Sequence, residues 1–293
     1  MKRQRKLATW TGAILGTICA LLFAVAQGQA EDRSYTEEFH QTYALSPGGR
    51  VQLGNINGAV HITAWDRSEV KVDAVKYAGS KQRLDEAHIR VDASRDEVSI
   101  RTEYTDHNLT FNGDDERNNP ASVEYTLTVP QTARLDEIKL INGALDISGV
   151  AGEVHASCIN GHLTARDLSG PARLSTINGR LDARFERISD SPITLKSVNG
   201  GVELTLPSDS RAELEASTVH GGIDNDFGLR VRHHEYVGHD LHGELGGGGT
   251  RIRLENVNGR IEIRHANDNR TLSPATDLDR DRDSDRDDDD DDI

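Results

Sequence analysis

The stretch VHASCINGHLTARDLSGPARLSTINGRLDA, residues 154–183, contains the pattern on which most of the chain is built. A β-branched residue, Asn and Gly follow one another, with apolar residues alternating on both sides. Period-two alternation around a glycine step predicts a strand, a tight turn or corner, and a second strand. The chain has seven copies: Ile56-Asn57-Gly58, Ile141-Asn142-Gly143, Ile159-Asn160-Gly161, Ile177-Asn178-Gly179, Val198-Asn199-Gly200, Val219-His220-Gly221 and Val257-Asn258-Gly259.

The spacing of the copies indicates how the strands are arranged. The central glycines stand at 143, 161, 179, 200 and 221, which gives spacings of 18, 18, 21 and 21 residues. A period near twenty with only short strands predicts an all-β fold in which each repeat is one coil of a β-solenoid. Stacked Asn side chains are then expected to form a hydrogen-bonded ladder. The alternative is a β-sandwich of hairpins, because Asn-Gly is the strongest two-residue hairpin signal.

The first 30 residues have the composition of an export signal. Four basic residues precede an uncharged stretch from Leu7 to Ala26, and Gly28-Gln29-Ala30 precedes Glu31-Asp32. This order predicts cleavage after Ala30, with an uncleaved membrane anchor as the alternative. Cleavage leaves Cys158, at an inward-pointing strand position, as the single cysteine.

Four regions are predicted. Residues 1–30 are the signal, 31–137 a β-rich N-terminal cap, 138–266 the solenoid repeats and 267–293 a disordered acidic tail. Residues 228–250 interrupt the repeats with several His residues and four glycines, Gly246 to Gly249, and are expected to be a flexible polar insert. From Asp277 the tail has 11 Asp and three Arg, a composition that cannot bury enough surface to order itself.

One outward-facing row is acidic. Three residues after each motif glycine stand His61, Asp146, Thr164, Asp182, Glu203, Asp224 and Glu262, which we call the acidic row. Its carboxylates Asp146, Asp182, Glu203, Asp224 and Glu262 are candidate ligands for a divalent cation, since calcium prefers carboxylate oxygens. The alternative is a solvated face neutralised by Arg166, Arg184 and Arg264, two residues further along.

The insert also contains possible zinc ligands. They are His233, His234, Glu235, His239, Asp240, His242 and Glu244. The spacing from His234 to His239 exceeds that of the zinc-protease helix signature by one residue, and Gly238 opposes a helix. No metal site or cofactor is therefore predicted from this cluster.

Charge and motifs exclude several classes of function. Removal of residues 1–30 changes the formal charge from −15 to −19, and such an acidic protein repels nucleic acid and anionic lipid. Membrane contact is expected only through an uncleaved signal segment. The sequence contains no nucleophile elbow, phosphate loop or dinucleotide fingerprint, so no catalytic residue is predicted.

The repeat string resembles a known family. The run Thr126–Pro130, the segment Ile141–Gly152 and the successive Ile/Val-Asn-Gly copies are similar to the bacterial putative-adhesin family of unknown function numbered 4097. The likeness covers about residues 45–265. It implies an exported β-strand-repeat protein of the cell envelope, without catalytic residues. The expected partner is an unknown envelope protein or a glycan. The predicted function is a non-enzymatic adhesin-like scaffold, with a carbohydrate- or cation-binding envelope module as the alternative.

Overall fold

The structure is a computed structural model. It describes residues 35–105, 119–233 and 238–278, all within one compact unit, Ser34–Ile293. The predicted export signal, residues 1–30, lies outside the described residues, as does the end of the predicted acidic tail, residues 279–293.

The described residues form 22 strands and one helix. Before the repeats come β1 (Tyr35–Ala44), β2 (Arg50–Asn57), β3 (Val60–Trp65), β4 (Glu69–Ala78), α1 (Lys81–Glu86), β5 (Ala87–Ala93), β6 (Glu97–Tyr104) and β7 (Ser122–Pro130). The repeats contribute β8 (Arg134–Asn142), β9 (Leu145–Ser148), β10 (Val154–Asn160), β11 (Leu163–Leu168), β12 (Ala172–Asn178), β13 (Leu181–Phe185), β14 (Ile193–Asn199), β15 (Val202–Leu206), β16 (Ala212–His220) and β17 (Ile223–Asn225). The chain continues with β18 (Val231–His233), β19 (His239–Leu245), β20 (Thr250–Asn258), β21 (Ile261–His265) and β22 (Ala275–Asp277).

The strands form two sheets over one core. The first sheet has the order β1-β4-β7-β3-β9-β11-β13-β15-β21-β17, and the second has β18-β19-β16-β20-β14-β12-β10-β8-β2-β6-β5, with β22 paired to β19. The apolar residues that alternate around the motif, such as Leu163, Leu181 and Val202, are buried in a single apolar cluster. The all-β prediction is confirmed, and the two sheets fit the sandwich alternative.

The Asn-Gly motif forms a corner between the sheets. In each copy the strand before the glycine belongs to the second sheet and the strand after it to the first, as β10 and β11 do. Each strand pairs in parallel with its counterpart from another repeat, with Asn160 opposite Asn142 and Asn178. The motif strands are therefore not hairpin partners, although antiparallel pairs such as β5 with β6 occur before the repeats.

Close stacking of the corners explains the motif glycine. Gly179 has φ +157°, and a Cβ atom built on it lies 1.9 Å from the carbonyl oxygen of Gly161 in the adjoining repeat. Inward-facing polar side chains reach these carbonyls: Thr176 donates to Gly161 O at 3.3 Å and Asn256 to Gly200 O at 2.9 Å. Buried carbonyls at the corners thus keep hydrogen-bond partners.

Chain order does not give spatial order at the end of the repeats. Strands β20 and β21, from the last repeat, lie between β14–β15 and β16–β17. The four glycines make this possible, because they carry the chain from β19, on one side of β16, to β20 on the other. Gly246 to Gly249 all have positive φ, and Gly249 passes so close to Arg211 that a Cβ atom would lie 2.7 Å from its carbonyl oxygen.

Two predicted flexible regions are partly ordered. The expectation of a flexible insert at 228–250 is wrong for residues 239–245, which form β19 and pair with β16 over seven residues. The expectation of a disordered tail is wrong for its start, because residues 275–277 form β22 against β19. Asp277 accepts a hydrogen bond from the Arg230 amide at 2.7 Å. Covering the exposed edge of a sheet gives these polar segments their order, and composition alone does not reveal such an edge.

Helix is almost absent from the described residues. The six-residue helix α1 begins after Ser80, whose hydroxyl accepts a hydrogen bond from the Arg83 amide at 3.3 Å. No helix among the described residues is long and apolar enough to cross a membrane.

Candidate functional site

The predicted acidic row forms one line across the outer face of the first sheet. Its order in space is His61, Asp146, Thr164, Asp182, Glu203, Glu262 and Asp224, each paired in register with the next. The last four members are therefore consecutive carboxylates, at the strand spacing of about 4.8 Å. Asp146 stands apart from them, because Thr164 lies between it and Asp182.

Cationic side chains neutralise these carboxylates. Arg180 binds both Asp182, at 2.7 Å, and Glu203. Arg260 contacts Asp224 and Arg264 contacts Glu262, each at 2.7 Å. His61 lies 3.0 Å from Asp146. The hydrogen bond that Arg180 donates to Asp182, together with the negative charge of Asp182, raises the pKa of the Arg180 guanidinium above its ordinary value.

The sequence prediction of the neutralising residues was partly wrong. Arg264 pairs as expected, whereas Arg166 and Arg184 form no ion pair with any described residue. Arg180 and Arg260 take that role, and both directly follow a motif glycine. A residue one position after the glycine projects from the same face as one three positions after it, but several arginines share this face and the sequence does not select among them.

The row has the chemistry of a salt-bridged surface. Its members are partly exposed, so water screens each pair and each contributes little to stability. A shallow groove of about 200 Å³ between Arg166, Asp182, Arg184 and Glu203 has basic and acidic walls. No group of three metal-binding side chains occurs among residues 35–105, 119–233 and 238–278. Cation binding by the five carboxylates stays a prediction.

The structure does not bring the insert's predicted ligands to one point. Strand β19 places His239 on the face of Leu241, and Asp240, His242 and Glu244 on the opposite face. His242 lies 3.4 Å from Glu213, and the His239 ring meets that of His233 edge to face at 4.5 Å. His234 and Glu235 lie outside the described residues.

The predicted asparagine ladder is present. Asn160 donates to Asn142 and Asn178 donates to Asn160, both at 2.8 Å, and the line continues through Asn199 and Asn258 at 2.9 Å. His220, the exception in the motif, stands at the end of this line beside Asn258. The ladder fixes the corners in register.

A row of exposed aliphatic side chains runs beside the ladder. The β-branched residue of each motif copy in the stacked repeats projects to solvent, with 39% to 44% of its surface exposed. We call this row the aliphatic ridge; it consists of Ile141, Ile159, Ile177, Val198, Val257 and Val219. Six members at about 4.8 Å give a length of about 24 Å. These residues are part of the motif, but their exposure as a continuous surface row is evident only from the structure.

Cys158 is buried, as predicted from its strand position. Its thiol donates to the carbonyl oxygen of Gly143 at 3.4 Å. Burial disfavours the thiolate and raises the pKa of Cys158 to about 11. This thiol is therefore a core group and lacks the properties of a nucleophile.

Comparison with known proteins gives similar structures at low identity. The chain matches no family model and no curated protein. Among solved structures it is similar to a "putative cell adhesion protein" of Clostridium sporogenes, with 11% identity over 78% of this chain and 100% of that one, at a TM-score of 0.46. A "putative adhesin" of Bacteroides fragilis shares 11% identity over 78% of this chain and 97% of its own, at a TM-score of 0.35.

Proposed function

We propose that the protein is an exported, non-enzymatic β-repeat scaffold of the bacterial cell envelope that makes adhesin-like contacts through the aliphatic ridge. The ridge is the observation that carries the proposal. The solvent-exposed face of a β-sheet usually carries polar residues, whereas this row has Ile or Val on each of six successive strands. Contiguous exposed apolar rows with polar borders are typical of interaction surfaces.

The borders of the ridge support this role. One side is the asparagine ladder, and the other is a row on the second sheet that includes Ser157, Ser175 and Lys196, paired in register. Every ridge strand is hydrogen-bonded to a neighbouring strand on both sides. A partner would meet a preformed surface, so little entropy is lost in ordering it.

The solenoid architecture belongs to the same proposal. Each repeat would be one coil of 18–21 residues that passes from the second sheet to the first at the Asn-Gly corner. Parallel pairing in register between repeats and the ladder across their corners support this interpretation. The non-enzymatic role is supported by the acidic row, whose carboxylates pair with arginines along a surface instead of converging in a cleft.

The adhesin-like contact is tested with a ridge variant. We replace Ile159, Ile177 and Val198 with threonine, which keeps the β-branched shape and strand preference but removes apolar surface. Cells that display this variant should attach less to glycan- and matrix-protein-coated surfaces than cells with the native protein. The matched control carries threonine at Ser157, Ser175 and Lys196, on the same three strands, and should attach normally. Equal attachment by both variants would contradict the proposal, and turnover of a glycan polymer would contradict the non-enzymatic role.

Export is tested separately. A C-terminal tag should locate the protein outside the cytoplasm of a bacterial host, with a mature N-terminus at Glu31. Retention in the cytoplasm at full length would refute export without bearing on the ridge.

The alternative is a divalent-cation site on the acidic row. Four consecutive carboxylates in register favour it, and their arginine partners oppose it. Calcium that raises the melting temperature of the native protein, but not of a variant with Glu203→Gln and Glu262→Gln, would support this alternative.

A further inference from the structure

Strand β1 forms a long edge of the first sheet. Among the described strands it pairs with β4 alone, over ten residues and without a bulge. Eight of its ten residues are exposed. Proline, lysine, a bulge or a short strand commonly protects such an edge, and β1 has none of these; its inward-facing Glu37 is paired with Lys76 of β4. No other described strand pairs with the backbone on its outer side.

The sequence of β1 is nearly symmetric about its centre. Residues 35–43 read YTEEFHQTY, with Phe39 in the middle. Thr and Tyr recur three and four residues away on both sides. Glu37 and Gln41, two residues away on either side, have side chains of the same shape. Glu38 and His40, one residue away on either side, are acidic and basic respectively.

This symmetry matters for pairing between two copies. When a strand pairs antiparallel with its own copy around a two-fold axis at Phe39, each residue faces its counterpart from the other side of the centre. Phe39 then faces Phe39, and Tyr35 faces Tyr43, so aromatic pairs line the inner face. Thr36 faces Thr42 on the outer face. Such cross-strand pairs stabilise antiparallel sheets.

The polar residues also match in this register. Glu38 faces His40 and Glu37 faces Gln41, each twice by symmetry. Moving the register by two residues in one direction places Glu38 opposite Glu38 and Glu37 opposite Phe39. Moving it in the other direction places Glu37 opposite Tyr43 and His40 opposite His40. One register therefore pairs every residue with a compatible partner.

We propose that β1 forms an antiparallel pair with β1 of a second copy, with the two-fold axis at Phe39, so that two ten-stranded sheets become one continuous sheet of twenty strands. The aromatic content of the strand supports a second copy as the partner. Tyr35, Phe39 and Tyr43 are three of the 11 Phe and Tyr residues in the chain. Aromatic side chains are enriched at protein interfaces.

A groove beside β1 offers room for the partner. It has a volume of about 420 Å³, and its apolar part consists of Phe39, Tyr43, Ile89 and Val91. These four side chains are only partly buried against the core. The inner aromatic residues of the second copy would cover this surface. Existing contacts remain, because Lys76 binds Glu37 at 2.8 Å and Asp73 binds His40 at 2.7 Å from β4, on the other side of the strand.

Cysteine cross-linking tests the register directly. The full chain is used with Cys19→Ser, while buried Cys158 stays in place. Opposed residues in antiparallel strands have Cα atoms about 4.5–5.5 Å apart, within the range for a disulfide. Phe39→Cys should therefore give a covalent dimer under mild oxidation.

Thr36→Cys is the matched control. The two copies of residue 36 would lie six residues out of register, about 20 Å apart, so cross-linking should fall at least about tenfold. Adding Thr42→Cys to this variant should restore it. Equal cross-linking of Phe39→Cys and Thr36→Cys, or none in any variant, would overturn the proposal.

A charge exchange provides a second test that keeps the central aromatic residue. His40→Glu places Glu opposite Glu38, and Glu38→Lys places Lys opposite His40, so each variant alone should be monomeric in light scattering. Mixed together, the two variants should form a heterodimer, because the native Glu38 of one meets the native His40 of the other and the introduced glutamate meets the introduced lysine. Circular dichroism checks that both variants keep the native sheet content. Dimers of either single variant, or no heterodimer from two folded variants, would refute this register.

Discussion

Replacement of Gly200 by alanine should strongly destabilise the repeat stack. Gly200 has φ +144°, and an added Cβ atom lies 2.0 Å from the carbonyl oxygen of Gly179 and 2.6 Å from its carbonyl carbon. Backbone atoms cannot rotate away as a side chain can, so the two repeats must separate. Strained φ costs about 1–3 kcal/mol and overpacking about 1–3 kcal/mol, so the free energy of unfolding should fall by about 2–6 kcal/mol.

The neighbouring glycine is the control for this prediction. Gly201 has ordinary φ, and its added Cβ atom has Arg260 O as the nearest contact, at 3.6 Å. Gly201→Ala should stay within about 1 kcal/mol of the native protein. The measurement is urea unfolding followed by far-ultraviolet circular dichroism, with the slope of free energy against urea checked for constancy. Equal unfolding midpoints for the two variants would refute the close-stacking explanation.

Three other predictions follow from single side chains, and one from the surface charge. Asn178→Ala removes a ladder bond on each side and should lower the free energy of unfolding by about 1–3 kcal/mol, measured by urea unfolding; an unchanged midpoint would contradict a stabilising ladder. The hydrogen bond to Asp73 raises the pKa of His40 above 6.5, so its stabilising contribution is present below pH 6.5 and is lost as pH rises through the raised value; NMR titration should show a lower pKa in Asp73→Asn. Cys158 should not react with a thiol reagent at pH 8 until the protein is unfolded, measured in a Cys19→Ser chain, since burial raises its pKa to about 11; rapid native reaction would show an accessible thiol. Calcium should shift the melting temperature little, because arginines already neutralise the acidic row; a large shift would favour the cation-binding alternative.

The charged surface shows how far pattern reasoning extends toward a candidate site. Alternation placed Asp182 and Glu203 correctly on one outer face, because side chains two residues apart on a strand share a face. Their partner, Arg180, was missed, since several basic residues share that face and only the stacked geometry shows which of them reaches the carboxylates.

The all-β class, the inward-facing apolar positions and the Asn ladder could be predicted from the amino-acid pattern alone. These follow from period-two alternation and from a motif repeated at a nearly fixed interval, which are local properties of the chain. The sequence does not show that the last repeat lies inside the stack, that β19 and β22 extend the second sheet beyond β16, or that β1 has no second partner among the described strands. These outcomes depend on which strands pair at their edges. Such pairs join residues far apart in sequence through backbone N–H and C=O groups, and the sequence does not indicate which strand those groups will meet.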